Sequence, residues 1–589
     1  MRSISYWLSV AVLLAPAACR LDLAGQSADE PAQREDADQR ARDDKDSTAM
    51  AGGPTTDKGD GSGLSCGTAA ILRSATELKD RTAQLSGAYH VTGQVILTGE
   101  VTIAPGTIFI VDADSSIDIG WNSTRTTLTA LGTEAKPIQF CSDKPILGRW
   151  QGLRLSRGLT TDSVLQHAHI YDAGKGAAAL TVIAPVSLID VTIHGSSSDG
   201  VVADAFGDDS SGLTVNDARG AAVVLEGQVA VDKFPPGSKF KGNADNSAHI
   251  RFRNYNGGGV HFANLGIPYV QDQGMIAYNV VLDFEAGVEY RFAVDTGLEV
   301  GWNSNQATLN IPGTAAKPVV FRGLTDKKGS WNGVLINKNV STDSSLSNVQ
   351  VINGGKQTPP LVVSSSVTLR DVSVSDCATA PVISAPLTAE SQNFSVSGSD
   401  TVALVSNVQS LSGLPRGGTF TGNARDLIEL PKLSPFDSLG KATIPNLGVP
   451  YYFTGDIAIG AGSDVTIEPG VEFIAQSGNP YLFEIGWNGS EVMFTARGTA
   501  TQPIIFRGEK DDVGTWKGIQ IGSAVSTNSV FDHVEVRNAG LSTRAQVTIQ
   551  NSTFSKSPGF GIAKAKADTT DYTATNTFSG NAQGDVGVQ

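Results

Sequence analysis

The chain repeats itself three times, and repetition at this length specifies a solenoid or an array of similar units in place of one large core. Gly120-Trp121-Asn122 returns as Gly301-Trp302-Asn303 and Gly486-Trp487-Asn488. Gly132-Thr133 returns as Gly313-Thr314 and Gly498-Thr499, and Pro137-Ile138 as Pro318-Val319 and Pro503-Ile504. Trp150-Gln151-Gly152 returns as Trp331-Asn332-Gly333 and Trp516-Lys517-Gly518. The step from Trp121 to Trp302 is 181 residues and from Trp302 to Trp487 is 185. Of seven Trp, one is Trp7 and the other six occupy these two motifs. The copies divide the body into modules at 65–250, 251–430 and 431–589.

A finer period lies inside each module. Leu165, Ala168 and Ile170 are echoed 23 residues later by Leu188, Val191 and Ile193. Leu346, Val349 and Val351 are echoed after 23 residues by Leu369, Val372 and Val374, and Phe531, Val534 and Val536 after 18 by Ile549, Ser552 and Phe554. A short strand that returns about every 20 residues describes a coil that lays each strand parallel on the one before. Alternate side chains then point inward and stack into apolar ladders. The equivalent corner residues Asp172, Asn353 and Asn538 suit left-handed or side-chain-bonded turns.

Composition agrees with many short strands. Gly is 65 of 589, about 11%, and charged residues are 17%, against usual values of ~7% and ~25%. A net charge of −15 argues against nucleic acid, whose phosphates require a basic surface. No P-loop or strand-borne dinucleotide fingerprint is present, so no nucleotide is expected.

Residues 1–19 read as an export signal: Arg2 supplies a positive start and Ile4 to Leu14 a short apolar run. The following Ala15-Pro16-Ala17-Ala18-Cys19 resembles the lipobox of bacterial lipoproteins, with Pro16 standing where that family usually has Leu. The resemblance implies cleavage before Cys19 and acylation of that residue; ordinary cleavage that leaves a plain thiol is the other reading. Arg20 follows the cysteine, so the resemblance further implies no inner-membrane retention signal and an anchor in the outer membrane. Residues 20–64 contain eleven Asp or Glu, six Lys or Arg and no aromatic residue. Such a stretch is expected to be a disordered acidic linker. Cys66, Cys141 and Cys377 remain, and export places them where disulfides persist. A Cys66–Cys141 bridge stapling the start of the body is one expectation, with two free thiols the other.

The run Tyr451 to Gly470, YYFTGDIAIGAGSDVTIEPG, resembles the opening of bacterial cell-surface β-helix repeats. So do the Gly-Thr…Lys/Gln-Pro-Ile/Val run and the Trp-x-Gly turn that follow. The resemblance implies an all-β, right-handed parallel β-helix of the pectate-lyase-like kind over nearly all of 65–589. That fold hosts lyases, hydrolases, epimerases, adhesins and passive rods, so it names no activity.

Candidate chemistry is sparse. Asp208 and Asp209, near Asp199, Asp204 and His194, are the best carboxylate pair for general acid–base work on acidic polysaccharide. The companion G-H-G and R-I-K motifs of polygalacturonases are missing, and a solvated corner loop is the competing reading. The seven His form no H-E-x-x-H, and no G-x-S-x-G is present. No cofactor is expected, no motif calls for calcium, and no paired C-x-x-C suggests zinc. Trp121, Trp302 and Trp487, each beside an amide, are candidate stacking platforms for sugar rings, with corner packing as the other reading. As platforms, their equal spacing predicts a ladder on one side of the body. Two function classes follow: a membrane-anchored, non-catalytic rod that binds glycans or surface proteins, and a polysaccharide lyase or hydrolase with its site in the first module.

Overall fold

The computed structural model describes residues 76–78, 84–123, 125–431, 438–460, 462–486 and 491–589. The signal segment, the acidic linker, Cys19, Cys66 and Trp487 lie outside the described residues. The remainder belongs to one compact unit within Ser65–Gln589. It is an all-β parallel β-helix. Each coil supplies short strands to successive faces, and the strands of neighbouring coils pair in parallel.

Period-two burial explains why these residues form strands. In the strand Gln94–Leu97, Val95 and Leu97 point into the core while Gln94 and Ile96 point away from it. Stacking the coils aligns Val95, Ile117, Leu153, Leu180, Val201 and Val223 into one inward ladder. All six are essentially inaccessible to solvent, and each buried aliphatic side chain contributes about 1.5–3 kcal/mol. Aromatic stacks reinforce other ladders, such as Phe109 on Phe140 at 4.8 Å and Phe473 on Phe506 at 5.0 Å between ring centroids. The apolar core runs without a break from Leu85 to Tyr572. Strand pairing likewise passes through positions 250 and 430, so the three modules form one continuous column.

The repeated motifs are the joints of the coil. Thr133, Thr314 and Thr499 each close a tight turn by exchanging backbone bonds with Lys136, Lys317 and Gln502, and their hydroxyls accept a second bond from the same N–H groups. Trp150, Trp331 and Trp516 are buried, and their indole N–H groups donate to the carbonyls of Tyr171, Ile352 and Arg537, each at 2.8 Å. At Gly152 a Cβ would lie 2.4 Å from the Ala178 carbonyl oxygen, so the adjoining coil excludes any side chain there. Asp172, Asn353 and Asn538 hold the expected left-handed corners at φ 55°, 52° and 66°. His167, Asn348 and His533, equivalent by the module steps, share a second left-handed corner at φ 44°, 49° and 51°.

The modules do not superimpose by translation along the axis. In the first module the coil strands Ile108–Val111 and Ser116–Ile119 belong to an eleven-stranded and a fourteen-stranded sheet. In the second module, their equivalents Glu289–Phe292 and Leu298–Val300 belong to that same fourteen-stranded sheet and to a second one. In the third, Glu472–Ala475 continues that second sheet while Leu482–Ile485 lies in a six-stranded sheet. Each module is therefore advanced by one face around the axis. The joint is the strand Asp245–Ile250, which pairs with Ala221–Leu225 on one side and Tyr269–Gln271 on the other.

Candidate functional site

Gly120-Trp121-Asn122 follows the strand Ser116–Ile119 and leaves it through two left-handed residues, Gly120 at φ 80° and Asn122 at φ 58°. Those corners turn the indole of Trp121 outward, where it is 39% exposed. Gly301 and Asn303 repeat the corner at φ 80° and 51°, and Trp302 is 41% exposed. These two Trp are not core residues, unlike Trp150 and Trp331. Each stands on a different sheet, because the modules are offset by a face. The one-sided ladder is thereby overturned: a straight polymer lying on the face of Trp121 does not run over Trp302.

The first-module platform is flanked by a groove lined with charged groups. A cleft of about 510 Å³ opens beside Trp121, with Thr181 and Val202 from successive strands as its floor and Arg154, Arg157, Asp204 and Glu226 around it. A second lobe of about 210 Å³ shares Trp121, Arg154 and Thr181 and extends toward Gln94 and Gln151. Beneath Arg154 lies Asp118, 3% exposed, which accepts a 2.6 Å hydrogen bond from the Ser156 hydroxyl and sits 3.8 Å from the Arg154 guanidinium. Burial raises the Asp118 carboxyl above its ordinary range against the opposing effects of Ser156 and Arg154. Asp204 is raised by the same cause, against the charges of Arg157 and Arg154. Glu226 is shared with Arg251, which also meets Asp199. Arg157 makes no hydrogen bond or close ion pair among the described residues, leaving five N–H donors for an incoming ligand.

The second module keeps the scaffold and changes the chemistry. Glu299 takes the place of Asp118 and is held by Asn337 at 2.9 Å. Leu335 pairs with Glu299 where Arg154 pairs with Asp118. A cleft of about 200 Å³, lined by Arg253, Asp295, Glu299 and Leu335, is the counterpart of the 210 Å³ lobe, and Trp302 packs near Tyr278 with ring centroids 5.8 Å apart. In the third module Glu484 and Gln520 hold the same two positions.

The carboxylate pair singled out in the sequence is not brought together with the other groups named beside it. Asp208 and Asp209 are exposed on a turn, and Asp208 meets only the Lys233 ammonium at 3.5 Å. No hydrogen bond or ion pair joins either to Asp199, Asp204 or His194 among the described residues. His194 belongs to a separate cluster: its Nε2 lies 3.0 Å from Nδ1 of His169, and its ring stacks on Tyr171 at 4.4 Å. Burial, with His169 beside it, pulls His194 down to about 4. Cys141 is disulfide-bonded, and Cys377 is a buried free thiol pushed up to about 12 by burial. Among the described residues no group of three or more His, Cys, Asp or Glu is placed to hold a metal ion. No helix of the described residues is long and apolar enough to cross a membrane.

The fold and the groove define a class, the parallel β-helix solenoids with a polar lateral cleft. Beyond that class, no family model, curated protein or solved structure matches the chain.

Proposed function

We propose that the protein is an exported β-helix of the right-handed, pectate-lyase-like kind, tethered to the outer membrane through acylated Cys19 and the 20–64 linker, that binds envelope or extracellular glycans without transforming them. The observation that carries this reading is the exposed Trp121 set on a rigid left-handed corner beside an open, polar groove. An exposed indole with carboxylate and guanidinium groups beside it offers stacking and hydrogen bonding to a sugar ring together. Surface proteins are the other partner class of this reading.

A second reading, a polysaccharide lyase or hydrolase, is favoured by one observation: the same first-module groove contains two carboxyls, Asp118 and Asp204, raised by burial. One experiment separates the two. The full chain is incubated with a panel of neutral and acidic polysaccharides, with retention and product followed together. Retention without new reducing or unsaturated ends supports binding; product formation supports the enzyme. For the tether, Cys19→Ser should release the protein from the membrane fraction, and persistence there would contradict the anchor.

A further inference from the structure

The groove beside Trp121 has a charge pattern and a length that select among glycans, and this inference rests on the glycan-binding reading above. The two lobes share Trp121, Arg154 and Thr181, so they adjoin on one face of the coil. From the strand before Trp121 to the strand before Glu226 the chain climbs four strand spacings. At ~4.8 Å each that is roughly 19 Å, a span for several sugar rings and far more than one requires. The floor, Thr181 and Val202, carries no charge. Around it stand the guanidiniums of Arg154 and Arg157 and the carboxylates of Asp204 and Glu226, with Asp118 buried beneath Arg154. Arg154 is partly neutralised by Asp118 beneath it, and Glu226 by Arg251. What remains facing the cavity is one unpaired guanidinium, Arg157, and one carboxylate, Asp204, which makes no hydrogen bond or ion pair from its side chain among the described residues.

We propose that this groove binds a neutral oligosaccharide lengthwise along the sheet, one pyranose ring stacked on Trp121 and its hydroxyls shared between Asp204 as acceptor and Arg157 as donor. An aromatic face suits the C–H-lined side of a pyranose, and an opposed acceptor and donor suit adjacent hydroxyls, which both donate and accept. A polyanion is disfavoured because the Asp204 carboxylate faces it in the groove and the chain as a whole carries −15.

The test is calorimetric titration of the full chain with cellohexaose, maltohexaose and mannohexaose, and with hexagalacturonate as the acidic hexamer. The expected result is binding of at least one neutral hexamer, at least about tenfold tighter than hexagalacturonate and little changed by added salt. Trp121→Ala should weaken it about tenfold, whereas Trp302→Ala should leave it within about twofold. Thermal melts of both variants establish that they are folded. Arg157→Gln, at an exposed position, gives a second loss of binding should Trp121→Ala fail to fold. Tighter binding of hexagalacturonate, or no binding of any neutral hexamer, overturns the proposal. So does a folded Trp121→Ala protein that binds as before. If that variant still retains polysaccharide from the panel above, the groove falls and the glycan reading stands. If the native chain retains none, both fall.

Discussion

The first and second modules contain the same outward-facing Trp on the same left-handed corner, yet the side chains that line the face beside each differ. Trp121 borders Arg154, Arg157, Asp204 and Glu226, whereas Leu335 replaces Arg154 on the face of Trp302. The difference teaches how a solenoid divides its labour. Positions that recur in all modules close turns, fill the core or hold corners. On the reading proposed here, selectivity falls to positions where the copies have diverged, such as Arg154 against Leu335, around a Trp that they share.

The largest effect should come from what the modules share. Trp150→Ala and Trp331→Ala each remove a buried indole and its 2.8 Å hydrogen bond, so each should cost about 3–5 kcal/mol. Equal losses in urea titrations confirm a common scaffold; a much smaller loss in either module would break the equivalence. Trp121→Ala and Trp302→Ala, both at exposed positions, should stay within about 1 kcal/mol of the parent.

Acid should separate the modules next. His194 in the first is lowered to about 4 by burial, below its ordinary 6.5. The folded state therefore refuses a proton that the unfolded chain accepts, and stability falls as pH drops from about 6.5 toward 4, by about 2–3 kcal/mol. His261 in the second has the opposite sign. Burial lowers it, but Asp283 at 2.8 Å and Glu285 at 3.1 Å outweigh that and raise it. Its contribution is present below its ordinary value and is lost as pH rises through the raised one. His194→Phe should flatten the acid limb of a stability–pH curve and His261→Gln the upper one. An unchanged acid limb in His194→Phe would contradict the assignment.

A smaller contrast lies at the corners. A Cβ at Gly120 would meet the Leu159 side chain and backbone nitrogen, both at 2.9 Å, while at Gly301 only a Val340 methyl is that close and the backbone nitrogen stands off at 3.3 Å. Both substitutions pay about 1 kcal/mol for a left-handed Ala. Gly120→Ala should melt lower than Gly301→Ala; the reverse order would contradict the packing described. Smallest of all is Arg154→Leu, which copies the second module. Its ion pair with Asp118 is half-exposed on the arginine side, so stability should shift by no more than about 1 kcal/mol. Glycan binding should nevertheless weaken, and unaltered binding would remove Arg154 from the site.

Most of the scaffold could be read from the amino-acid sequence, because the forces that build it are periodic. The recurring apolar positions Leu165, Ala168 and Ile170 gave the strands, their 23-residue echo gave the coil, and Asp172, Asn353 and Asn538 gave the corners. The one-face advance between modules was not legible. It depends on where the strand Asp245–Ile250 pairs, and identical motifs look identical whichever face they occupy. The groove escaped for a related reason: attention to repeated residues finds Trp121 but passes over Arg154 and Arg157. The 181-residue step does set Arg154 against Leu335, and the 185-residue step sets Leu335 against Gln520, so comparison of the copies position by position held the signal. Asp208 and Asp209 are neighbours in sequence, but the turn that holds them faces solvent and does not bring them to Asp199 or His194.

The central claim, one recognition groove on a threefold scaffold, is tested most directly by hydrogen-exchange footprinting of the full chain with and without the tightest-binding neutral hexamer. The account predicts slowed exchange confined to the first-module strands that build the groove, Ser116–Ile119, Gly152–Leu155, Leu180–Val182 and Val201–Ala203, with the corner at Trp121. The second-module equivalents Leu298–Val300 and Val334–Ile336 should exchange as before. Protection of similar size in both modules would contradict it and restore the repeated Trp as equal binding sites.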